Sequence, residues 1–333
     1  MNGVTTPIVI DTDPGVDDAV AIMLAIASPE VEVKAVTTVF GNVALDATTS
    51  NAGRLLALCE RADVPLAAGA ARPLVHPQRG LAAEWHGTDG LGGRAAALPA
   101  PAAPDGRTAV ELLADVLRAS DRPVTLVPIG PLTNIALLLA VHPELAGRIG
   151  RIVWMGGSLG AGNTDGFTGG PPPRSAEAST HQTRGGGVAE FNAHCDPEAA
   201  HRVLTQADVP VTMVPLDLTL RCPAGPEWID ALAAAGPRCA ALAAVITHYR
   251  AAFRERYGID AVAVHDAVAV LEAVLPGTLR TTAKPIAVAC DLGPARGATV
   301  GMPEGSGPPV QVALDADTDK VLAEILERLR RLG

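Results

Sequence analysis

Residues 8–19 read Ile8-Val9-Ile10-Asp11-Thr12-Asp13-Pro14-Gly15-Val16-Asp17-Asp18-Ala19. A β-branched apolar run breaks into aspartates and a Pro-Gly turn, and then resumes with helical periodicity. Ile8–Asp11 is predicted as a strand and Asp17–Ala27 as the helix that follows. Asp17 and Asp18 suit the positive end of that helix, and Asp-Pro-Gly suits the turn before it. The same alternation recurs downstream. Strands are predicted at 33–39, 64–67, 124–128, 151–155 and 211–215, with helices at 45–59, 105–119, 132–139 and 197–205. Such βαβ units imply an α/β fold, a doubly wound and mainly parallel sheet with helices on both faces. Right-handed crossovers then place ligands outside the C-terminal strand ends. Helical patterns dominate 224–275. Extra strands are expected at 285–290, 298–302 and 310–314, before a closing helix at 318–332. No charged or Ser-rich linker divides residues 1–333, so they read as a single domain without repeats.

Composition narrows the function classes. The 333 residues include 36 acids against 26 Lys+Arg, a formal charge of -10, and 48% are hydrophobic. That apolar share supplies a large core, and the negative balance argues against nucleic-acid binding, which needs a basic footprint. Aromatics are only 3% of the chain, too few for serial base stacking along a strand. Five cysteines without a CxxC pair fit a reducing, cytoplasmic setting. No signal peptide is visible at the N-terminus and no apolar run is long enough to span a bilayer, so no membrane partner is expected.

Four carboxylates lie within eight residues, Asp11 to Asp18. So close together they repel unless some are protonated or a cation is shared. Turn and helix-start chemistry accounts for Asp17 and Asp18 but leaves Asp11 and Asp13 at the strand end without a partner. All-oxygen ligation suits Ca²⁺, Mg²⁺ or Mn²⁺ rather than Zn²⁺. The spacing is not that of an EF-hand, since Ile22 stands where its closing Glu belongs. Nor is it a phosphate-gripping loop, because acids repel phosphate and no Gly-Lys follows.

The stretch 10–19 resembles the N-terminal signature of the inosine–uridine-preferring nucleoside hydrolases. The resemblance continues through Thr37-Thr38-Val39-Phe40-Gly41-Asn42, Val127-Pro128-Ile129-Gly130-Pro131-Leu132-Thr133-Asn134 and Met155-Gly156-Gly157. It ends with Ala189-Glu190-Phe191-Asn192, Asp196-Pro197-Glu198-Ala199-Ala200 and Val264-His265-Asp266. These blocks fall in the family's order over about 10–275.

The resemblance implies hydrolysis of the N-glycosidic bond of ribonucleosides, purine or pyrimidine, by a homodimer or homotetramer with one Ca²⁺ per subunit. The implied metal ligands are Asp13, Asp17, Asp18, the backbone carbonyl of Ile129, and Asp266. Asp13 would also be the general base. His265 would be the general acid, a ring able to carry a proton near neutral pH. Ribose contacts would come from Asp17, Asn42, Asn163, Glu190, Asn192 and Asp266, with Met155 and Phe191 in the same blocks. His86 and Tyr249, with Trp85, lie in segments similar to those lining the base pocket. Asp11 is expected to orient a ligand rather than bind metal. Taken singly, Asn42 also suits a turn and Asp266 a helix N-cap.

One departure stands out. Family members have only a few residues between the positions matching Asn163 and Glu190, whereas 26 intervene here, rich in Gly and Pro. The insertion at 164–189 reads as a lid over the pocket, a contact between subunits, or a disordered loop. Phe167 within it is a further candidate for stacking on a base. Alternative readings are a hydrolase of nicotinamide or modified-base ribosides, and a ribose-binding protein without turnover. The second would be expected to lose Asp13 or a ligand. A Mg²⁺ phosphatase would need a phosphate-holding Lys and Ser/Thr that Asp13-Pro14-Gly15 does not introduce.

Overall fold

The computed structural model describes residues 5–77, 81–160, 162–164, 188–206 and 209–333. Its strands are β1 (Thr6–Thr12), β2 (Val31–Thr38), β3 (Leu66–Ala68), β4 (Val124–Pro128), β5 (Ile149–Met155), β6 (Val211–Val214), β7 (Pro223–Ala224), β8 (Val262–Ala263), β9 (Arg280–Val288), β10 (Thr299–Gly301) and β11 (Pro309–Asp315). The helices are α1 (Val16–Ile26), α2 (Leu45–Leu58), α3 (Ala83–His86), α4 (Ala109–Ala119), α5 (Thr133–Val141), α6 (Phe191–Cys195), α7 (Pro197–Thr205), α8 (Leu216–Thr219), α9 (Pro226–Ala233), α10 (Pro237–Tyr257), α11 (His265–Val274) and α12 (Thr318–Leu329). Among the described residues nine strands form one sheet, in the order β10-β9-β11-β6-β5-β4-β1-β2-β3. Every pairing from β11 to β3 is parallel, and β9 runs antiparallel to both of its neighbours.

Alternation along the central strands splits the core in two. Ile8, Ile10, Val127, Val153 and Met155 face one apolar cluster with α1, α2, α10, α11 and α12. Val9, Leu126, Ile152 and Trp154 face the other, with α4, α5 and α7. Burial on both faces explains why these strands read as continuous apolar runs. Helices α1 and α11 are apolar on nearly every side and buried along almost their whole length, so they lie inside the molecule and not on its surface.

The chain winds outward from β1 through β2 and β3, then returns to place β4 on the other side of β1. The reversal makes β1 and β4 the topological switch point, where α/β sheets open a crevice for ligands. The register pairs Asp11 with Pro128, and the Ile129 N–H donates to the Asp11 carbonyl at 2.8 Å. Asp13 and Ile129 therefore leave the sheet side by side.

Some boundaries differ from expectation. The helix predicted from 105 begins at Ala109. The Asp105 carboxylate is instead occupied by Arg107, and Thr108 caps the helix in a reciprocal pair with Glu111. The strand expected at 285–290 starts five residues earlier, at Arg280, where exposed polar side chains mask the apolar alternation. No helix is long and apolar enough to cross a membrane among the described residues. Of the 164–189 insertion, 165–187 lie outside the described residues, and Phe167 with them.

Candidate active site

The loops after β1 and β4 and the starts of α1 and α11 converge on a carboxylate cluster. Asp17, Asp18 and Asp266 each bring an oxygen within 4.8 Å of the others. Asp18 accepts from Thr12 Oγ1 at 2.5 Å, from the Gly15 N–H at 2.8 Å and from Asn42 Nδ2 at 3.2 Å. Asp13 accepts the Asn42 N–H through Oδ2 at 2.8 Å, while its Oδ1 is buried with no hydrogen-bond partner. Glycine makes room for this carboxylate: a β-carbon on Gly41 would stand 1.9 Å from Oδ2, and one on Gly130 2.3 Å from Oδ1.

Burial, and then mutual repulsion, disfavour charge here. Asp17 is pushed up to about 8, Asp13 and Asp266 well above the usual carboxylate range, and Asp18 upward, chiefly by burial. No Lys or Arg lines the adjoining cavity among the described residues. A bound cation is the remaining way to hold these acids ionised together. Asp17, Asp18 and Asp266 form a donor set of the kind hard divalent cations take, and Asp13, outside that 4.8 Å group, adds an unused buried oxygen close enough to feel the charge of Asp18 and Asp17.

Asp11 sits behind this cluster and does not line the cavity. Its Oδ1 accepts from Thr37 Oγ1 at 2.6 Å and Asn134 Nδ2 at 2.8 Å. Burial pushes its carboxyl up to about 7. Asn134 also donates to the Thr38 carbonyl and accepts from the Ala70 N–H, so the group ties β1, β2, α5 and the loop after β3 together.

In front of the cluster opens a cavity whose empty space, part of it open to solvent, is about 680 Å³. One wall carries Asn42, Met155, Asn163, Glu190, Phe191 and Asn192. Glu190 caps α6, accepting from the N–H groups of Asn192 (2.8 Å), Ala193 (3.1 Å) and Gly157 (2.7 Å). Burial nonetheless raises it to about 7. Asn192 Nδ2 donates to the Ile129 carbonyl at 3.3 Å and the Met155 carbonyl at 3.1 Å, and Asn163 Oδ1 accepts the Phe191 N–H at 2.8 Å. The amide of Asn42 is spent on the Asp18 carboxylate and the Asp13 carbonyl, so it braces the acids as well as facing the cavity.

The opposite wall carries His86, Tyr249 and His265 together with Trp85, Phe253, Tyr257, Leu216 and Leu220. Five of the nine aromatic side chains thus line one cavity. Trp85 stacks on Tyr257 at 5.8 Å between centroids and meets Tyr249 edge-on at 6.0 Å. Sequence reasoning missed Phe253 and Tyr257, although Tyr249, Phe253 and Tyr257 recur every fourth residue on α10. That spacing marks one helix face, but a core stripe has the same spacing.

Both histidines are anchored through Nδ1. His86 Nδ1 accepts the Val16 N–H at 3.0 Å, so its Nε2 carries the proton. His265 Nδ1 pairs with Thr219 Oγ1 at 2.7 Å. Burial, then the neighbouring His265 and His248, push His86 down to about 3, and burial pushes His265 down to about 4. Burial thus favours the neutral form of both rings, while the sequence reading has His265 as a ring able to carry a proton near neutral pH. The 3.9 Å approach of His86 to Asp17 is accordingly not an ion pair.

The inosine-uridine preferring nucleoside hydrolase family model matches residues 8–323. The pyrimidine-specific ribonucleoside hydrolase RihA of Klebsiella pneumoniae is 39% identical over 97% of this chain and 98% of its own. Its counterpart from Salmonella schwarzengrund is 37% identical over the same shares. Among solved structures, a plant nucleoside hydrolase superposes with a TM-score of 0.86 at 29% identity, covering 98% of this chain and 99% of its own. A purine-preferring ribonucleoside hydrolase from Gardnerella vaginalis gives 0.86 at 27% identity, with the same coverage. With that match and these relatives, the chain is a ribonucleoside hydrolase and belongs to the inosine-uridine preferring nucleoside hydrolase family.

Proposed function

We propose that the chain is a Ca²⁺-dependent hydrolase that splits ribonucleosides into free base and ribose, with Asp13 as general base. The observation that carries this reading is the buried cluster of Asp17, Asp18 and Asp266, with the unpartnered, buried Oδ1 of Asp13 close enough to feel the charge of Asp18 and Asp17. Those four carboxylates and the Ile129 carbonyl would hold the cation, whose flexible oxygen coordination suits Ca²⁺. When bound, Ca²⁺ supplies positive charge that lowers the pKa of a water and gathers sugar hydroxyls.

Asp13 removes a proton from the water that attacks the anomeric carbon. Asn42 fixes its other oxygen, leaving Oδ1 for that task. Glu190, Asn163 and Asn192 receive the sugar hydroxyls, and the carboxylates favour the positive charge that grows on the ring as the C–N bond breaks. Attack from the face opposite the base inverts the anomeric carbon. The C–N electron pair leaves with the base, and His265 donates its Nε2 proton toward the base as negative charge develops there, regaining one from solvent as the base departs. The aromatic wall stacks on the base.

We take pyrimidine ribonucleosides as preferred, on the names of the relatives at 37–39% identity. Five scattered cysteines without a CxxC pair support a cytoplasmic enzyme. Reducing-sugar release from a panel of pyrimidine and purine ribonucleosides, with and without chelator, tests the reading. Turnover of uridine that chelation abolishes and Ca²⁺ restores is expected; turnover insensitive to chelation removes the metal from the account.

A further inference from the structure

We infer that Thr219 is a positioning residue for the departing base, acting through His265. This rests on the reading of His265 as the group that meets the base. Thr219 is fully buried in α8, a single helical turn at the C-terminal end of β6, and its hydroxyl lies 2.7 Å from His265 Nδ1. Its backbone is already committed: the N–H donates to the Pro215 carbonyl, and its own carbonyl accepts from Cys222. The other partner of the hydroxyl, the Leu216 carbonyl, accepts at 3.5 Å, a much longer and weaker bond than the 2.7 Å contact with Nδ1. On our inference the hydroxyl gives its proton to this shorter contact at Nδ1, which selects the tautomer with the proton on Nε2.

The placement of α8 gives this bond a further consequence. Leu216, at the start of the same turn, and Leu220, just beyond it, line the cavity beside His265. The turn that shapes the wall around the base also fixes the ring that meets the base. His86 on the same wall is held by the same nitrogen, through the Val16 N–H, so each ring is fixed at Nδ1. An imidazole without its Nδ1 partner can rotate or switch tautomer, and misplaced donors lose much of their catalytic effect.

The test compares leaving groups. Thr219→Val keeps the shape and removes the hydroxyl; Thr219→Ser keeps the hydroxyl; His265→Gln removes the ring. Each is assayed on uridine and on p-nitrophenyl β-D-ribofuranoside, whose phenolate departs without needing a proton. Thr219→Val is expected to lose about 10-fold or more in kcat on uridine, with KM little changed, and to keep its rate on the nitrophenyl riboside. Thr219→Ser is expected to recover most of the uridine rate. A Thr219→Val enzyme equal to wild type on both substrates overturns the inference, and so does equal loss on both, which marks a merely structural hydroxyl. Should Thr219→Val not fold, Thr219→Ser at wild-type rate on uridine beside a Thr219→Ala enzyme with the uridine-specific loss supports it. Equal rates for those two overturn it. If His265→Gln keeps the wild-type rate on uridine, the His265 reading itself fails, independently of Thr219.

Discussion

Gly130 faces the unpartnered oxygen of Asp13 so closely that a β-carbon there would stand 2.3 Å from it. Backbone and carboxylate share a space that no other residue type leaves open. Gly130→Ala is therefore expected to push Asp13 aside and to lower kcat by about 10²-fold, the scale of a 1 Å misplacement. Gly106, with nothing within 4 Å of an added β-carbon, is the control, and Gly106→Ala should leave kcat unchanged. Steady-state rates for the two variants check the point; equal rates would mean that the site relaxes around the methyl group.

The buried acids give the metal-free protein a definite pH dependence. Asp17 is raised to about 8, and Asp11 and Glu190 to about 7, mainly by burial, against about 4 in an unfolded chain. A group raised in this way contributes its stability fully below the unfolded value. That contribution is lost as pH climbs through the folded one. In chelator, Tm should fall between pH 5 and 9. Calcium offsets the emerging charge, so the Tm increase it produces should be larger at pH 8 than at pH 5. Scanning calorimetry at both values measures this, and an increase that shrinks with pH speaks against a cation among these acids.

Asp11 and Asp17 differ in what they face. Asp11 Oδ1 is held by Thr37 and Asn134, and the residue stays out of the cavity with its Oδ2 buried and without a hydrogen-bond partner, whereas Asp17 lines the cavity. Asp11→Asn is expected to keep calcium affinity within a few-fold, and Asp17→Asn to lose at least about 10-fold, the lower range for disturbing a metal site. Calorimetric titration of Ca²⁺ into each variant checks it. Loss of equal size in Asp11→Asn would bring that residue into the coordination.

The aromatic wall makes a prediction about binding alone. Stacking on a base contributes about 1–3 kcal/mol. Trp85→Ala should raise KM for uridine by about 10-fold and leave inhibition by free ribose unchanged, since ribose carries no base. A parallel loss of ribose inhibition would show that Trp85 shapes the whole cavity.

Much of this arrangement is legible in the residues. The strand, turn and acid run at 8–18 carries both the first βα unit and the cluster, because an isolated group of acids at a strand end has few physical explanations. The alternation of apolar runs locates β4 and α7 to the residue, and Asp266 at the head of α11 follows from its block. The wall facing the base is less legible. Helices α3, α6 and α8 span four or five residues, too short for a periodicity to register. Tyr249, Phe253 and Tyr257 look like a core stripe until the fold shows which side of α10 meets the cavity. Thr219 gives no local signal, since its partner His265 lies 46 residues further along the chain. Neutral histidines are likewise invisible beforehand, because burial in the folded pocket sets their charge.

The central claim is that Asp13 removes the proton from the attacking water. Its most direct test is the kcat for reducing-sugar release from uridine by Asp13→Ala, with Tm measured in the same buffer to establish that the variant is folded. The account predicts a loss of at least about 10²-fold, as removal of a general base produces. A folded Asp13→Ala enzyme that works within a few-fold of the wild-type rate would contradict it.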